Sequence, residues 1–417
     1  MSIVELEPLQ TYQIDCSRQP RHIVSRKEAI VDLTVLSANL RRIRSAKGLS
    51  QGEVADAAGL SRVGYRNVES GQSAPRVDSL MRVATALDVR LEELVAPVRT
   101  LSKVRFRADK KMTTREELLA DVARWLDDYN ELEGIVDDRS NFKLAPLRKE
   151  IRELPKSERA KVAAALARKK MGLEKNEVTR DICGLLEHNG IKVFTPKLAS
   201  EGFFGLSIAE SDGGPAVIVN TWERLSVERW IFTAAHELGH LLMHLDAYDV
   251  QRSDEEEVQE KEADTFASHF LMPEELFQKE LNEARGLPLV QLVFKLKRIF
   301  RASWQSVLYR IADKSADRKQ VWARFHKEHY ARTGRALGKT EEPDALAADN
   351  FLKSAARPRA RAAEEPESLV RADFVEDRLF RLVRQAVEAE EISLGRGGEI
   401  LRIDLEAMRE LASSWVG

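Results

Sequence analysis

The stretch FTAAHELGHLLMH, residues 232–244, carries two histidines four residues apart, with a glutamate directly after the first. Residues four apart lie on one face of an α-helix, so His236 and His240 can turn their imidazoles toward a single ion. The neighbouring residues are apolar and favour a helix, which is the context that an HExxH zinc motif requires. The stretch therefore predicts a zinc-binding helix in which Glu237 faces a water molecule at the metal.

A catalytic zinc also needs a third protein ligand and an open coordination position. His244 continues the four-residue spacing, but it lies about 12 Å along the axis from His236 at a rise of about 1.5 Å per residue. Bonds to zinc are only about 2 Å long, so one ion cannot bind both residues of a continuous helix. We therefore expect His244 to lie at the helix end or at the edge of the core.

A second helix, predicted over residues 259–273, offers the missing ligand. Its Glu260 and Asp264 lie one turn apart, so Glu260 can bind zinc while Asp264 accepts the N–H of a ligand histidine. Glu262 is the alternative ligand, and on a regular helix it points to another face.

Three features together resemble the ImmA/IrrE family of bacterial zinc metallo-endopeptidases. They are Asn220, the stretch 232–244, and the run E-x-x-A-D-x-F-A-x-x-F-L-M-P at 260–273. The resemblance covers roughly residues 158–335 and implies a zincin-like domain. Family members are proteases that cleave helix-turn-helix repressors in mobile-element and stress responses.

The resemblance also implies roles for four residues. The Zn²⁺ ligands would be His236, His240 and Glu260, and Glu237 would be catalytic. In that role Glu237 takes a proton from the attacking water and returns it to the departing amine. No motif identifies the donor that stabilises the oxyanion, and Tyr248 and Arg252 are the two candidates.

Upstream, residues 34–97 contain a pattern of five short helices. Two matching segments, Gly48-Leu49-Ser50 and Gly59-Leu60-Ser61, each place a glycine at a helix end and a serine at the N-cap of the next helix. Two helices are thereby joined by a tight turn. The pattern predicts a compact helical domain.

Residues 49–71, LSQGEVADAAGLSRVGYRNVESG, resemble the XRE family of phage-repressor-like helix-turn-helix domains, and the match extends through Leu94. The resemblance implies that the helix from Ser61 to about Ser70 enters the major groove of a double-stranded DNA operator. Such domains commonly dimerise to match two half-sites, so a homodimer is a further expectation. Glu69 is expected to hold a bond inside the domain, because DNA phosphates would repel it.

Five residues are predicted to contact DNA: Gln51, Ser61, Arg62, Arg66 and Asn67. Arginine suits guanine and asparagine suits adenine, so Arg62 and Asn67 are the expected base contacts. Gln51 and Ser61 lie at helix N-termini, where phosphates can bind. Residues 41–76 hold seven Lys/Arg against three Asp/Glu, and Arg66 contributes to this excess of positive charge.

The whole chain is predicted to be α+β and predominantly helical, in six segments. These are an N-terminal extension (1–33), the helix-turn-helix domain (34–97), a charged helical connector (98–157), the zinc metallopeptidase domain (158–335), a flexible linker (336–370) and a C-terminal helical element (371–417). Small-sheet strands are expected near residues 192–194, 205–209 and 216–219. The linker is rich in alanine, proline and charge, and an apolar helical face indicates that the C-terminal element docks on another part of the protein.

A second helix pair, 289–300 and 303–312, also has the spacing of a helix-turn-helix. We assign it to the core of the peptidase domain. Its aromatic residues Trp304 and Tyr309 stand at helical spacing, and such aromatics usually pack in a core.

The composition excludes several classes of protein. The 66 basic and 68 acidic residues are nearly balanced, which argues against a general nucleic-acid-binding surface. Cys16 and Cys183 lack CxxC spacing, which excludes a disulfide-built scaffold and a thiolate zinc site. No segment approaches the ~20 uninterrupted apolar residues of a membrane span, so we expect a cytoplasmic protein without a membrane partner.

The favoured hypothesis is a transcriptional regulator with two active parts. A sequence-specific DNA-binding domain would be joined to a zinc endopeptidase that cuts a repressor or antitoxin-like protein, or the chain itself. The alternative is a non-enzymatic transcription factor whose peptidase-like domain senses a ligand or partner. An antitoxin or immunity module of a two-gene system is compatible with the same residues.

Overall fold

The computed structural model describes residues 33–96, 101–108, 115–200, 202–248, 257–338, 341–345, 347 and 365–415. The chain divides into two compact units, residues 1–98 and 99–417, which are described separately. The predicted N-terminal extension lies, except for its last residue, outside the described residues. Within the described part of the chain, no helix is both long and apolar enough to cross a membrane.

The first unit consists of the five predicted helices. They are α1 (Leu33–Ala46), α2 (Gln51–Ala57), α3 (Arg62–Glu69), α4 (Val77–Ala86) and α5 (Leu91–Val95). Ser50 caps α2 through the backbone N–H of Glu53, whose carboxylate returns a bond to the Ser50 N–H. Ser61 caps α3. Gly48 and Gly59 have φ of 66° and 62°, which explains a glycine at the end of each preceding helix.

The second unit is built on one four-stranded sheet. Its strands are β1 (Val104–Ala108), β2 (Lys192–Phe194), β3 (Phe203–Ile208) and β4 (Ala216–Val219), in the order β1-β3-β4-β2. β3 pairs antiparallel with both β1 and β4, and β2 pairs parallel with β4. The sheet has three strands close to those predicted and a fourth, β1, that the sequence analysis did not predict.

Thirteen α-helices of the described residues surround this sheet or extend from it. They are α6 (Arg115–Ile135), α7 (Leu147–Glu153), α8 (Lys156–Lys170), α9 (Ile182–His188), α10 (Val227–Met243), α11 (Glu257–Leu271), α12 (Glu274–Glu283), α13 (Leu289–Phe300), α14 (Trp304–Ala312), α15 (Arg318–Thr333), α16 (Arg378–Glu388), α17 (Leu394–Leu401) and α18 (Leu405–Ser413). The protein is therefore α+β and predominantly helical, as predicted.

Alternating side chains of β4 separate two hydrophobic cores. Ala216 and Ile218 pack with α6 and α16–α18. Val217 and Val219 pack on the other side with α7–α11, which include the HExxH helix. A third core joins α12 to α15. The sheet thus holds the HExxH helix on one face while the C-terminal helices cover the other.

The structure differs from the predicted boundaries after the first unit. Residues 101–108 and 115–135, expected in a separate charged connector, form a strand and a helix of the second unit. The reason is that α6 buries an apolar side that includes Trp125 and Tyr129. The C-terminal element does dock, through an apolar face and through the buried Arg378, which bonds Glu133 of α6 at 2.5 Å.

The structure agrees only in part with two further expectations, which concern the linker and the aromatic residues of α14. Most of the predicted linker 336–370 lies outside the described residues, but in its described part Glu342 forms an ion pair with Lys297 of α13 at 3.1 Å. Trp304 is buried, as expected of a core residue, whereas Tyr309 is 54% exposed and does not pack in the core. Tyr309 lies on the outer side of α14, because the buried face of that helix is formed by other residues.

Candidate metal centre and DNA-binding surface

The HExxH helix is buried because neighbouring elements approach it closely on two sides. At Gly239 an added Cβ would lie 3.0 Å from the Phe266 ring, so this glycine lets α10 and α11 pack together. At Gly205 an added Cβ would lie 2.6 Å from the Thr233 side chain, so β3 also approaches α10 closely. The two motif histidines and Glu237 have 0% exposure as a result.

The packing of α11 on α10 brings together three side chains predicted as metal ligands. His236, His240 and Glu260 offer donor atoms that all lie within 4.8 Å of one another. The two histidine Nε2 atoms are 2.9 Å apart. The Glu260 oxygens lie 3.1 Å from Nε2 of His236 and 3.2 Å from Nε2 of His240. Their role as zinc ligands remains a prediction.

Each histidine of the cluster has a second partner at Nδ1. Asp264 Oδ1 lies 2.8 Å from His236 Nδ1, so the histidine that Asp264 contacts is His236. His240 Nδ1 lies 2.9 Å from His244 Nδ1, and His244 Nε2 lies 2.9 Å from Glu262 Oε2. Glu262, the alternative ligand, therefore bonds His244 and is not part of the cluster.

These partners assign tautomers to both histidines. A carboxylate only accepts, so the Nδ1–H of His236 donates to Asp264 and its Nε2 carries a lone pair. If His244 donates its Nε2–H to Glu262, its Nδ1 accepts from the Nδ1–H of His240. Both ligand-candidate Nε2 atoms then present lone pairs to each other and to the Glu260 carboxylate. Such a convergence of unprotonated donors fits a cation with two nitrogen ligands and one oxygen ligand, which suits zinc.

The protonation states support the same reading. Burial lowers the pKa of His240 well below its usual range, and the neighbouring His236 lowers it further. The cluster thus presents a neutral imidazole at His240, which is the form that binds a metal.

Glu237 is fixed from the opposite side by β3. Ser207 Oγ donates to Glu237 Oε2 at 2.7 Å, and the Tyr248 hydroxyl donates to Ser207 Oγ at 2.7 Å. Burial raises the pKa of Tyr248 well above its usual range, so its hydroxyl keeps its proton. Tyr248, a candidate for oxyanion stabilisation, bonds Ser207 in this structure. Arg252, the other candidate, lies outside the described residues.

In the first unit, the predicted DNA-contact residues on α3 lie at the surface. Ser61, Arg62 and Arg66 are exposed and Asn67 is partly exposed. The opposite side of α3 is buried and includes Tyr65 and Val68. The structure thus groups these residues on one accessible side, and their contacts with DNA remain a prediction.

Glu69 lies inside the first unit, as expected, and organises it. Its carboxylate accepts from Arg44 at 2.5 Å, from the Tyr65 hydroxyl at 3.4 Å and from the Gln51 amide. Gln51, predicted to contact a phosphate, therefore has its side-chain N–H bonded within the domain. The prediction did not foresee this bond, because Gln51 and Glu69 are 18 residues apart.

Sequence reasoning missed several residues of these sites. Arg105 on β1 donates to Glu260, and Ser207 on β3 donates to Glu237. The 57% exposed Val63 is an apolar side chain on α3 that can meet a thymine methyl group. A period-two pattern, Val104-Arg105-Phe106-Arg107, was the available signal for β1.

The fold and the two sites define a chain with a helix-turn-helix DNA-binding domain and a metallopeptidase-like domain. The family described as helix-turn-helix matches residues 40–94. The family described as IrrE N-terminal-like domain matches residues 186–312. The chain therefore contains a helix-turn-helix match followed by an IrrE N-terminal-like match, the combination that its two motifs predicted.

Individual relatives match different shares of the chain. The cryptic phage CTXphi transcriptional repressor RstR of Vibrio cholerae is 32% identical over 59 residues, or 14% of this chain and 53% of the repressor. The match thus spans about half of that relative. The restriction-modification controller protein C.AhdI of Aeromonas hydrophila is 41% identical over 15% of this chain and 96% of its own, with a TM-score of 0.15. Apo ComR of S. thermophilus is 13% identical over 71% of this chain and 92% of its own, also with a TM-score of 0.15.

Proposed function

We propose that this chain is a transcriptional regulator whose second unit is a zinc-dependent endopeptidase. The proposed substrate is a repressor or antitoxin-like protein, or the chain itself. The observation that carries the proposal is the convergence of His236, His240 and Glu260 donor atoms within 4.8 Å, beside the buried carboxylate of Glu237. A structural zinc site would need a fourth protein ligand, whereas three ligands leave a position for water or substrate.

Each residue of the site has a separate role in the proposed hydrolysis. Zinc, when bound, supplies Lewis-acid chemistry that makes water more acidic and polarises a scissile carbonyl. Glu237 accepts the proton of the attacking water and passes it to the leaving amine. Ser207 holds Glu237 Oε2, so the carboxylate is fixed before substrate arrives. Asp264 and His244 hold the two imidazoles in the tautomers that leave Nε2 available.

The DNA-binding part of the proposal rests on α3. Its exposed Arg62 and Arg66 lie beside the partly exposed Asn67, so one side of the helix offers bidentate donors for base edges together with positive charge for phosphates. The buried bonds of Glu69 hold α3 against the start of α2 and against α1. Such support keeps the exposed side chains in a fixed register on a DNA groove.

A homodimer is part of the same proposal. Val77 and Met81 lie one turn apart on α4, and they are 66% and 54% exposed. An apolar pair on one face of a helix favours contact with another protein surface. We propose that a second copy covers this pair, which would present two α3 helices to two half-sites.

The substrate class has one supporting observation. Over 59 residues this chain is similar to a phage transcriptional repressor, so the chain itself contains a repressor-like segment. Cleavage of a repressor-like partner, or of this chain, is therefore the first activity to test. Either reaction would change the amount of DNA-bound protein and hence transcription.

The test is intact-mass analysis of the full chain with zinc, alone and with a helix-turn-helix repressor. Glu237→Gln is the matched variant, because it preserves the shape and the zinc ligands and removes the proton acceptor. We expect discrete fragments from the unaltered chain, and cleavage slower by about 10²- to 10⁴-fold in the variant. Equal cleavage by both proteins would exclude Glu237 as the base. Zinc binding without cleavage of any repressor would favour a non-enzymatic sensing domain.

A further inference from the structure

Strand β1 lies before the part of the chain that matches the IrrE N-terminal-like family, yet it contacts the candidate metal centre. The family match begins at residue 186, whereas β1 covers Val104–Ala108. β1 pairs antiparallel with β3, and Arg105 stands directly opposite Ser207. Opposite residues of an antiparallel pair share one face of the sheet. Ser207 bonds Glu237, so the same face brings Arg105 to the metal centre.

The backbone around Arg105 is firmly held. The Asp212 carboxylate accepts the backbone N–H groups of Ser102 and Lys103, each at 2.5 Å. The backbone N–H of Ala209 donates to the Lys103 carbonyl at 3.1 Å. Val104, adjacent to Arg105, is buried in the core with α6. The start of β1 is therefore fixed independently of the metal centre.

The guanidinium of Arg105 joins two neighbouring residues of α11. Its Nη2 donates to Glu260 Oε1 at 2.8 Å, and its Nη1 donates to the Gln259 side-chain oxygen. Arg105 is only 9% exposed and Glu260 is 15% exposed, so solvent screens this ion pair little. The planar guanidinium fixes direction as well as distance, which a lysine ammonium does not.

This contact adds a third partner to the Glu260 carboxylate. Oε1 accepts from Arg105 and lies 3.2 Å from His240 Nε2, while Oε2 lies 3.1 Å from His236 Nε2. Both oxygens therefore face a candidate ligand nitrogen, and the guanidinium holds the carboxylate in that orientation from the side of β1.

We propose that Arg105 is a positioning residue of the metal centre, which holds the Glu260 carboxylate in the orientation that binds zinc. The inference rests on the proposed zinc site and extends it to a strand outside the matched family region. It makes β1 an integral part of the centre.

The test measures zinc affinity of the full chain by competition with a chromogenic chelator. Arg105→Met keeps the aliphatic stem and removes every donor, and we expect it to weaken zinc binding by about 10- to 100-fold. Arg105→Lys should recover part of this loss, since it restores charge without the fork. Lys103→Ala is the matched control, because Lys103 is exposed on the same segment and should bind zinc as the unaltered chain does.

A second variant leaves β1 unchanged. Gln259→Ala removes the other acceptor of the guanidinium, and we expect a smaller loss of zinc affinity, about two- to tenfold. Visible absorption of the Co²⁺-substituted protein adds a readout of coordination, and it should change in Arg105→Met but not in Lys103→Ala. Unchanged zinc affinity in Arg105→Met, or in Gln259→Ala should the first variant fail to fold, would overturn the inference. Failure of the unaltered chain to bind zinc would instead refute the proposed function.

Discussion

The HExxH helix α10 and the proposed DNA-reading helix α3 differ in where their predicted functional side chains lie. On α10, His236 and His240 have 0% exposure and are bonded to other side chains of the same unit. On α3, Arg62 and Arg66 extend into solvent while the helix's buried side keeps it in place. The comparison teaches that the side chains of the candidate metal centre are held by other side chains of their own unit, whereas those of the proposed DNA surface lie open to solvent. Buried groups should therefore give larger effects on substitution than exposed ones.

The largest expected effect concerns the buried carboxylate of Glu187 in the second unit. Glu187 Oε2 accepts the backbone N–H groups of Asp377 and Arg378 at the start of α16. Burial raises the pKa of Glu187 to about 8, from 4.5. The pKa of Glu187 is higher in the folded state than in the unfolded state, so its protonated carboxyl group contributes to the free energy of unfolding. This contribution is fully present below about pH 4.5 and is lost as pH rises through about 8.

Glu187→Gln removes the ionisable carboxyl group and keeps a side-chain oxygen that can accept the backbone N–H groups at the start of α16. We expect the free energy of unfolding of the unaltered second unit to fall between pH 5 and pH 8, by at most about 5 kcal/mol. The variant should lose less over the same range. Urea denaturation at several pH values measures both. Equal slopes for the two proteins would show that Glu187 is ionised throughout.

Glu69 is a buried residue of the first unit. It therefore tests whether burial, and not membership of the second unit, determines how strongly a substitution lowers stability. It is 2% exposed although it lies on the DNA-reading helix. Glu69→Ala leaves Arg44 without its carboxylate partner, so we expect the first unit to lose about 3 kcal/mol of stability. Glu53→Ala, at the exposed capping box of α2, should cost much less stability. Thermal melting of the first unit that gave the two variants equal stability would break the comparison.

Asp264 and Glu262 support the two candidate ligand histidines in different ways, which sharpens the comparison further. Asp264 bonds His236 directly, whereas Glu262 acts on His240 through His244. We expect Asp264→Asn to weaken zinc binding by about 10- to 100-fold. Glu262→Gln should weaken it less, because the effect passes through a second imidazole. Chelator competition measures both, and a larger loss for Glu262→Gln would contradict the assigned tautomers.

The smallest effects on this chain's own stability should come from the exposed side of α3. Arg62→Ala should leave folding unchanged, weaken operator binding by about 1–3 kcal/mol and relax the preference at one base pair. Arg66→Ala should weaken binding on all sequences and reduce the salt slope by about 1. Fluorescence anisotropy on operator and random duplexes at several salt concentrations separates the two roles. A sequence-independent loss in Arg62→Ala would show that Arg62 contacts phosphate.

Much of the fold was predictable because local rules agree with it. The glycines at helix ends and the serines at N-caps indicated where α2 and α3 begin. The four-residue spacing placed His236 beside His240. Glu260 and Asp264 could be paired with that helix because a turn of α11 carries both. The positions of these residues follow from helix geometry.

The rest could not be predicted from local patterns. Arg105 reaches Glu260 across 155 residues, and β1 finds its partner β3 about a hundred residues later. Charged residues in β1 suggested a solvated connector, although alternation with Val104 indicated a strand. Tyr309 shows the opposite error: helical spacing suggested burial, but neighbouring helices decide which face of α14 is covered.

The central claim is that this chain holds one zinc ion through His236, His240 and Glu260. Native mass spectrometry of the zinc-loaded full chain tests it most directly. We expect one zinc per chain in the unaltered protein and in Glu237→Gln, and none in His240→Ala or Glu260→Ala. A chain without zinc, or one zinc retained in both ligand variants, would contradict the account.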